Sequence, residues 1–353
     1  MTVTDSVPDK VTDWLLEESN PSVRYFALTR LKGLSERHRD VKRARQAIME
    51  VGVVPKLLAL QQPGGFWGRA DRFYHDKYRG TVWQLLVLAE HGASPDDPRV
   101  IQACEFILEK SQDRSTGGFA MNEAVRTGGG RPREVIPCLT GNMVWSLLRL
   151  GYAGDPRVQD GIEWLAKYVR IDDGKSTPPP GFAYSHWEMC YGRHACFMGV
   201  VKGLKALAEV PVALRSPAVR RSIRNGAEFM LQHHVFKRSH DLRRVAKPGW
   251  RRFSFPLMWC SDVLEVLLVL TQLGIRDQRM QEAIDLVVSK QDDDGRWRLD
   301  ETVNDRVLVR IESRGQASKW VTLHALTVLG RWQELARGAA TKRRARTDRH
   351  RAN

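Results

Sequence analysis

The sequence predicts an all-α fold made of repeated helical pairs. Apolar segments match one another at a regular interval, amphipathic segments lie between them, and a Gln/Gly/aromatic turn recurs. No segment with the period-2 alternation of a strand competes with them.

In chain order, the first predicted helix begins at Pro21, with Asn20 as N-cap and proline at the first helical position, where its missing N–H costs nothing. Five matching segments follow, starting at Thr81, Asn142, Cys196, Ser261 and Trp320 and separated by roughly 54 to 65 residues. This is slightly longer than most two-helix repeats. Each is apolar almost all round, the pattern of a helix buried on every side. Between them lie helices with one charged face. The stretch from Asp97-Pro98-Arg99-Val100 has a near copy at Asp155-Pro156-Arg157-Val158, and a third such helix starts at Gln278. Three turns, at 61–68, 112–119 and 291–297, combine Gln, Gly and Phe or Trp. Glycine supplies the positive φ there, and the aromatic fills the gap to the next helix. About six alternating pairs predict a closed ring with inner and outer layers, with an open solenoid as the alternative.

The Q-x-x-D/G-G-x-W/F turns, each followed by an apolar helix, resemble the repeats of terpenoid cyclases and protein prenyltransferase β-subunits over roughly residues 20 to 333. The resemblance implies an (α/α)6 toroid, with inner and outer helix rings around an apolar central cavity. The domains expected are a lead-in at 1–19, the toroid at 20–335 and a basic disordered tail at 336–353.

In such a ring the starts of the inner helices converge on one mouth. Four of the five cysteines, Cys138, Cys190, Cys196 and Cys260, fall at these starts. A helix N-terminus favours the thiolate, so Cys138, Cys190 or Cys196, Cys260 and His194 form a candidate zinc set. Small buried cysteines packing under the mouth are the other reading. The zinc-dependent prenyltransferase β-subunits take Asp and Cys from one inner-helix start and a His from a later one. Cys138 and His194-Ala-Cys196 resemble that arrangement, but Ile136 stands where the Asp should be, and Glu188-Met189-Cys190 offers Glu in its place.

The class II cyclases protonate their substrate with a D-x-D-D motif, and the equivalent position here reads Met258-Trp259-Cys260-Ser261-Asp262, without that motif. Asp262, Glu188 and Asp76 are the candidate acids. An apolar cavity raises a carboxyl's pKa toward the protonated form, although each also suits a capping role at a helix start. Trp187, Tyr191, Trp259 and Trp320, with Tyr184 and Phe182, are expected near the mouth, where aromatic faces stabilise carbocations or fill the core. The basic loop at 237–252 carries seven Lys/Arg against one Asp; Lys247, Arg251 and Arg252 are its candidate diphosphate ligands.

The leading expectation is an isoprenoid-transforming enzyme, terpene-cyclase-like or prenyl-transfer-like, acting on a prenyl chain or prenyl diphosphate in the central cavity. A zinc-dependent enzyme with a Cys/His site and a noncatalytic binding toroid are the alternatives. The partner expected is a hydrophobic isoprenoid-like small molecule, reached through peripheral membrane contact; zinc is the one cofactor considered. The net charge of +15 owes much to the tail and comes with no nucleic-acid motif, so no specific nucleic-acid partner is expected. The longest apolar run, 263–270, is interrupted by Glu265 and is well short of the roughly 18 residues of a membrane span. No apolar leader opens the chain, and a cytoplasmic location with reduced cysteines is expected.

Overall fold

The computed structural model describes residues 9–173, 190 and 195–351. Among these are thirteen α-helices: α1 (Asp9–Leu15), α2 (Pro21–Arg30), α3 (Arg39–Ala47), α4 (Val53–Leu58), α5 (Thr81–His91), α6 (Pro98–Lys110), α7 (Pro137–Arg149), α8 (Pro156–Tyr168), α9 (Phe197–Glu209), α10 (Pro217–Gln232), α11 (Val263–Gln272), α12 (Gln281–Ser289) and α13 (Lys319–Arg351). The fold is all-α, with one two-stranded hairpin, β1 (Lys237–Arg238) and β2 (Asp241–Val245), antiparallel to each other.

The helices sort into two layers as the repeat predicts. Helix α5 packs on α7, α7 on α9, α9 on α11, α11 on α13, and α13 on α2. The circle closes where Gly92, the left-handed C-cap of α5, sits against the Phe26 ring of α2. These six inner helices are buried nearly all round; all twelve residues from Pro137 to Leu148 are buried in α7. The outer helices α3, α6, α8, α10 and α12 each bury one face against an inner partner. The structure is therefore the closed α/α ring, and the open solenoid is set aside.

Local chemistry explains the regularity. Asn20 accepts from Val23 N, and Asp97 and Asp155 accept from Arg99 N and Arg157 N, each ahead of a proline at the helix start. The recurring turns share one wiring. The backbone N–H groups of Trp67, Phe119 and Trp297 donate to the hydroxyls of Thr81, Thr140 and Thr322 on the following inner helix. The indoles of Trp67 and Trp297 donate back to Leu57 O and Val287 O, ten residues upstream. All three aromatics are fully buried. Gln61 and Gln112 reach the carbonyls of Arg99 and Arg157 at the start of the next outer helix. The first two turns thus join three helices at once, and the third joins α12 to α13.

Two features differ from expectation. The basic loop after α10 contains the hairpin, which a five-residue strand with three exposed positions did not announce by alternation. The last helix continues to Arg351, through the stretch expected to be a disordered tail. Its Ala, Lys and Arg residues have high helix propensity. No helix among the described residues is long and apolar enough to cross a membrane.

Candidate functional site

The segment entering α5 builds one wall of the mouth. Gly80 lets the chain turn tightly, since a Cβ there would lie 2.5 Å from Phe73 O. Trp83 Nε1 donates to Tyr74 O and Gln84 Nε2 to Tyr78 O, both at 2.9 Å. Across the ring, Trp259 Nε1 donates to Tyr78 Oη at 2.9 Å, and Asn142 Nδ2 pins Met258 O at 3.2 Å. The residues before α11 are thereby tied to both α5 and α7. In the middle stands Lys77, its ammonium 5.0 Å from the Tyr74 ring, 5.3 Å from Trp259 and 5.9 Å from Trp83. That ammonium has no ion-pair or hydrogen-bond partner among the described residues.

The thiols face the same space. Cys196 caps α9, its Sγ accepting from Gly199 N at 3.4 Å. A hydrogen bond from Cys190 draws its pKa below the ordinary thiol value, against burial and with help from the Gly199 and Met198 N–H groups and the Lys247 charge. Cys190, the donor, is correspondingly pushed up. Burial raises Cys138 to about 12 and also raises Cys260; the charges of Lys77 and Lys202 act on both. Alkylation by iodoacetamide, followed by peptide mass spectrometry, is therefore expected to modify Cys196 first, with a rate that rises at a pH below the ordinary thiol value of about 8.5. In Cys190→Ala the midpoint should move toward the ordinary thiol value of about 8.5. A wild-type rate that stays flat to pH 8 would disprove this thiolate.

Among the described residues no three of Cys, His, Asp and Glu stand together as metal ligands, and Cys190 and Cys196 engage each other. His194, Trp187, Glu188, Tyr191, Tyr184 and Phe182 lie outside the described residues.

The other expected groups are dispersed. Asp262 is 2 % exposed and is the N-cap of α11: Oδ1 accepts from Glu265 N at 2.8 Å and Oδ2 from Ser254 N at 3.0 Å. Burial pushes its carboxyl up to about 7 against the pull of those two donors. Asp76 is tied to Arg72 at 2.6 Å. Trp320 is buried among Phe255, on which it stacks at 4.5 Å, His91 and Phe26, beside the C-terminal end of α5. Arg252 pairs with Glu301 at 2.7 Å, whereas Lys247 and Arg251 are exposed.

One group on the ring axis went unnoticed in the sequence. Lys202 of α9 donates to both oxygens of Glu265 at 2.8 Å. Lys205 bridges Glu265 at 3.2 Å and Glu90 at 2.7 Å, with its ammonium 3.9 Å from the Trp145 ring. Lys202 and Glu265 are 1 % and 3 % exposed. Burial works against ionisation of both acids. Lys205, His324 and Arg149 nevertheless hold Glu90 at about 2, and Lys202 and Lys205 hold Glu265 below its usual range. The visible signal was a single charge inside each otherwise apolar run, such as Glu265 within 263–270.

No protein-family model matches the chain, and no curated protein matches it. Among solved structures it is similar to the type II terpene cyclase MstE from Scytonema in complex with geranylgeranyl dihydroxybenzoate, at 16 % identity over 90 % of this chain and 88 % of that one, with a TM-score of 0.43. It is similar also to the GH76A α-1,6-mannanase from Salegentibacter sp. HEL1_6, at 12 % identity over 90 % of each chain and a TM-score of 0.46. Both likenesses concern the fold alone.

Proposed function

We propose that the protein transforms an isoprenoid or similar apolar chain at the mouth of its ring, as a terpene-cyclase-like or prenyl-transfer-like enzyme. The observation that carries this reading is the Lys77 ammonium held among the faces of Tyr74, Trp83 and Trp259. Aromatic faces that hold a cation also favour a carbocation, by about 0.5–2 kcal/mol for each well-placed ring. Lys77, without a carboxylate partner among the described residues, is free to take the departing anion. In a prenyl diphosphate the C–O bond breaks and its electron pair leaves with the diphosphate toward Lys77, with exposed Lys247 and Arg251 as further cations. The allylic cation left behind faces the three rings until a double bond or another nucleophile closes on it, and the resulting cation then loses a proton to the released diphosphate or to water. Ionisation is preferred over protonation because Asp262 has both oxygens engaged by backbone N–H groups and Asp76 is paired with Arg72.

The test is incubation with farnesyl and geranylgeranyl diphosphates, measuring diphosphate release and organic products. Wild-type turnover is expected. Lys77→Met should lower kcat by about 100-fold, and Trp259→Leu by about tenfold, with thermal stability nearly unchanged. Absence of turnover, together with no quenching of tryptophan fluorescence by either compound, would overturn the proposal and favour a noncatalytic ring.

A further inference from the structure

The end of the ring away from the thiols carries arginines that the proposed reaction does not use. Arg30 closes α2 and Arg149 closes α7, whereas Arg331 stands on α13. Cys138 and Arg149 are eleven residues apart on one helix, or about 16 Å along its axis. The Cζ atoms of Arg30 and Arg149 lie over the same Phe26 ring, 4.2 and 5.3 Å from its centroid. Arg331 lies within electrostatic reach of Arg30, its Nη1 donating to Leu268 O at 3.4 Å.

The acids nearby leave this group short of negative charge. Glu209 pairs with Arg149 at 3.2 Å and also accepts from Gln272 at 3.3 Å. Glu90 is engaged by Lys205 at 2.7 Å, and Glu334, which acts on Arg331, is exposed. Arg30 has neither an ion pair nor a hydrogen bond among the described residues. Burial, then Arg149 and Arg331, push its pKa down to about 9, so it still carries its proton at neutral pH. Three guanidiniums from three inner helices, one of them with all its donors open, form the donor geometry that oxyanions select. The carbonyl ends of α2 and α7 make the cluster tolerable while no anion is there.

We propose that Arg30, Arg149 and Arg331 form a binding site for a small oxyanion, a carboxylate or phosphate group, at the C-terminal end of the inner helices. Arg30 supplies the unengaged fork, Arg149 and Arg331 flank it, and Phe26 holds the guanidiniums in place from beneath.

The probes are inorganic phosphate and acetate at low ionic strength, followed by thermal unfolding and by calorimetric titration, with chloride as the reference ion. Wild-type protein is expected to show a saturable rise in Tm with one site per chain for at least one probe, and the tighter of the two gives the ligand class. In Arg30→Met the affinity should fall by about tenfold or more, the loss of a charge-assisted hydrogen bond. Without added oxyanion, Arg30→Met should match or exceed the wild-type Tm, because a charge facing two like charges has gone. Arg331→Met should weaken binding as well, and Arg126→Gln, at an exposed and distant position, should leave it unchanged. The same saturable response in wild type and Arg30→Met would overturn the site. So would no saturable response at all, or a loss of Tm in Arg30→Met before any oxyanion is added.

Discussion

Replacing Glu265 by methionine is expected to lower the unfolding free energy by about 3–5 kcal/mol, the cost of stranding a buried charge. Lys202 is 1 % exposed and its two hydrogen bonds at 2.8 Å both go to Glu265. Without that carboxylate it must either stay charged in a dry site or give up its proton. The reverse change, Lys202→Met, should cost clearly less, because Glu265 keeps Lys205 at 3.2 Å. The double variant should recover much of the loss, as buried pairs replaced by apolar side chains of similar volume commonly do. Urea denaturation of the three variants measures the order. A Lys202→Met as damaging as Glu265→Met would mean that Lys205 does not support the carboxylate. The acid side follows from the same contacts. Glu265 has its folded pKa below the unfolded value of about 4.3, so it contributes stability above that pH and loses it as the pH falls through the folded value. Glu265→Met should therefore unfold with a shallower dependence on acid.

Gly141→Ala should be destabilising by about 3 kcal/mol or more, at the upper end for overpacking a core. A Cβ at Gly141 would stand 2.5 Å from the backbone carbon of Lys202 and 2.8 Å from Gly203 N. The obstacle is the main chain of α9, which has no rotamer to change. Near the start of the same pair, a Cβ at Gly199 would meet Pro137 at 2.7 Å, so the two helices run side by side in one direction at backbone contact. Any separation that makes room for the methyl group also moves Lys202 off Glu265. Gly161→Ala is the control. Its new Cβ meets Val144 Cγ2 at 2.8 Å, a side-chain atom that can yield, so the cost should be smaller. Equal Tm values for Gly141→Ala and wild type would show that the two backbones are not held in contact.

The fold was legible because its signals are local. Asn20-Pro21 and the Asp-Pro pairs at 97 and 155 predict helix starts, and the glycine and aromatic of each turn predict a chain reversal; all were found where expected. The site was legible only in part, since its partners come from separate repeats. Lys202 and Glu265 are 63 residues apart, and nothing in either segment says which charge meets which. Of the two readings of Asp262, the capping one is the one its contacts show: Asp-x-x-Glu ahead of an apolar run is a capping pattern, and Asp262 receives the Glu265 N–H. The reciprocal half is replaced, because the Glu265 side chain goes to the lysines instead.

The contact between α2 and α13 has a consequence for how many repeats the ring holds. A linear stack of helical pairs has two outermost members, each with a face made to be covered, and it must spend special polar repeats on those faces. Here the outermost members cover each other. Lys319 binds Glu17 at 2.7 Å and the carbonyl of Trp14, and the Arg296 guanidinium lies 4.4 Å from the Trp14 ring. Every inner helix therefore has a neighbour on both sides. The array has no open end on which a further repeat could stack, so its size is set by geometry at six inner helices, and further repeats would have to break the circle to enter it.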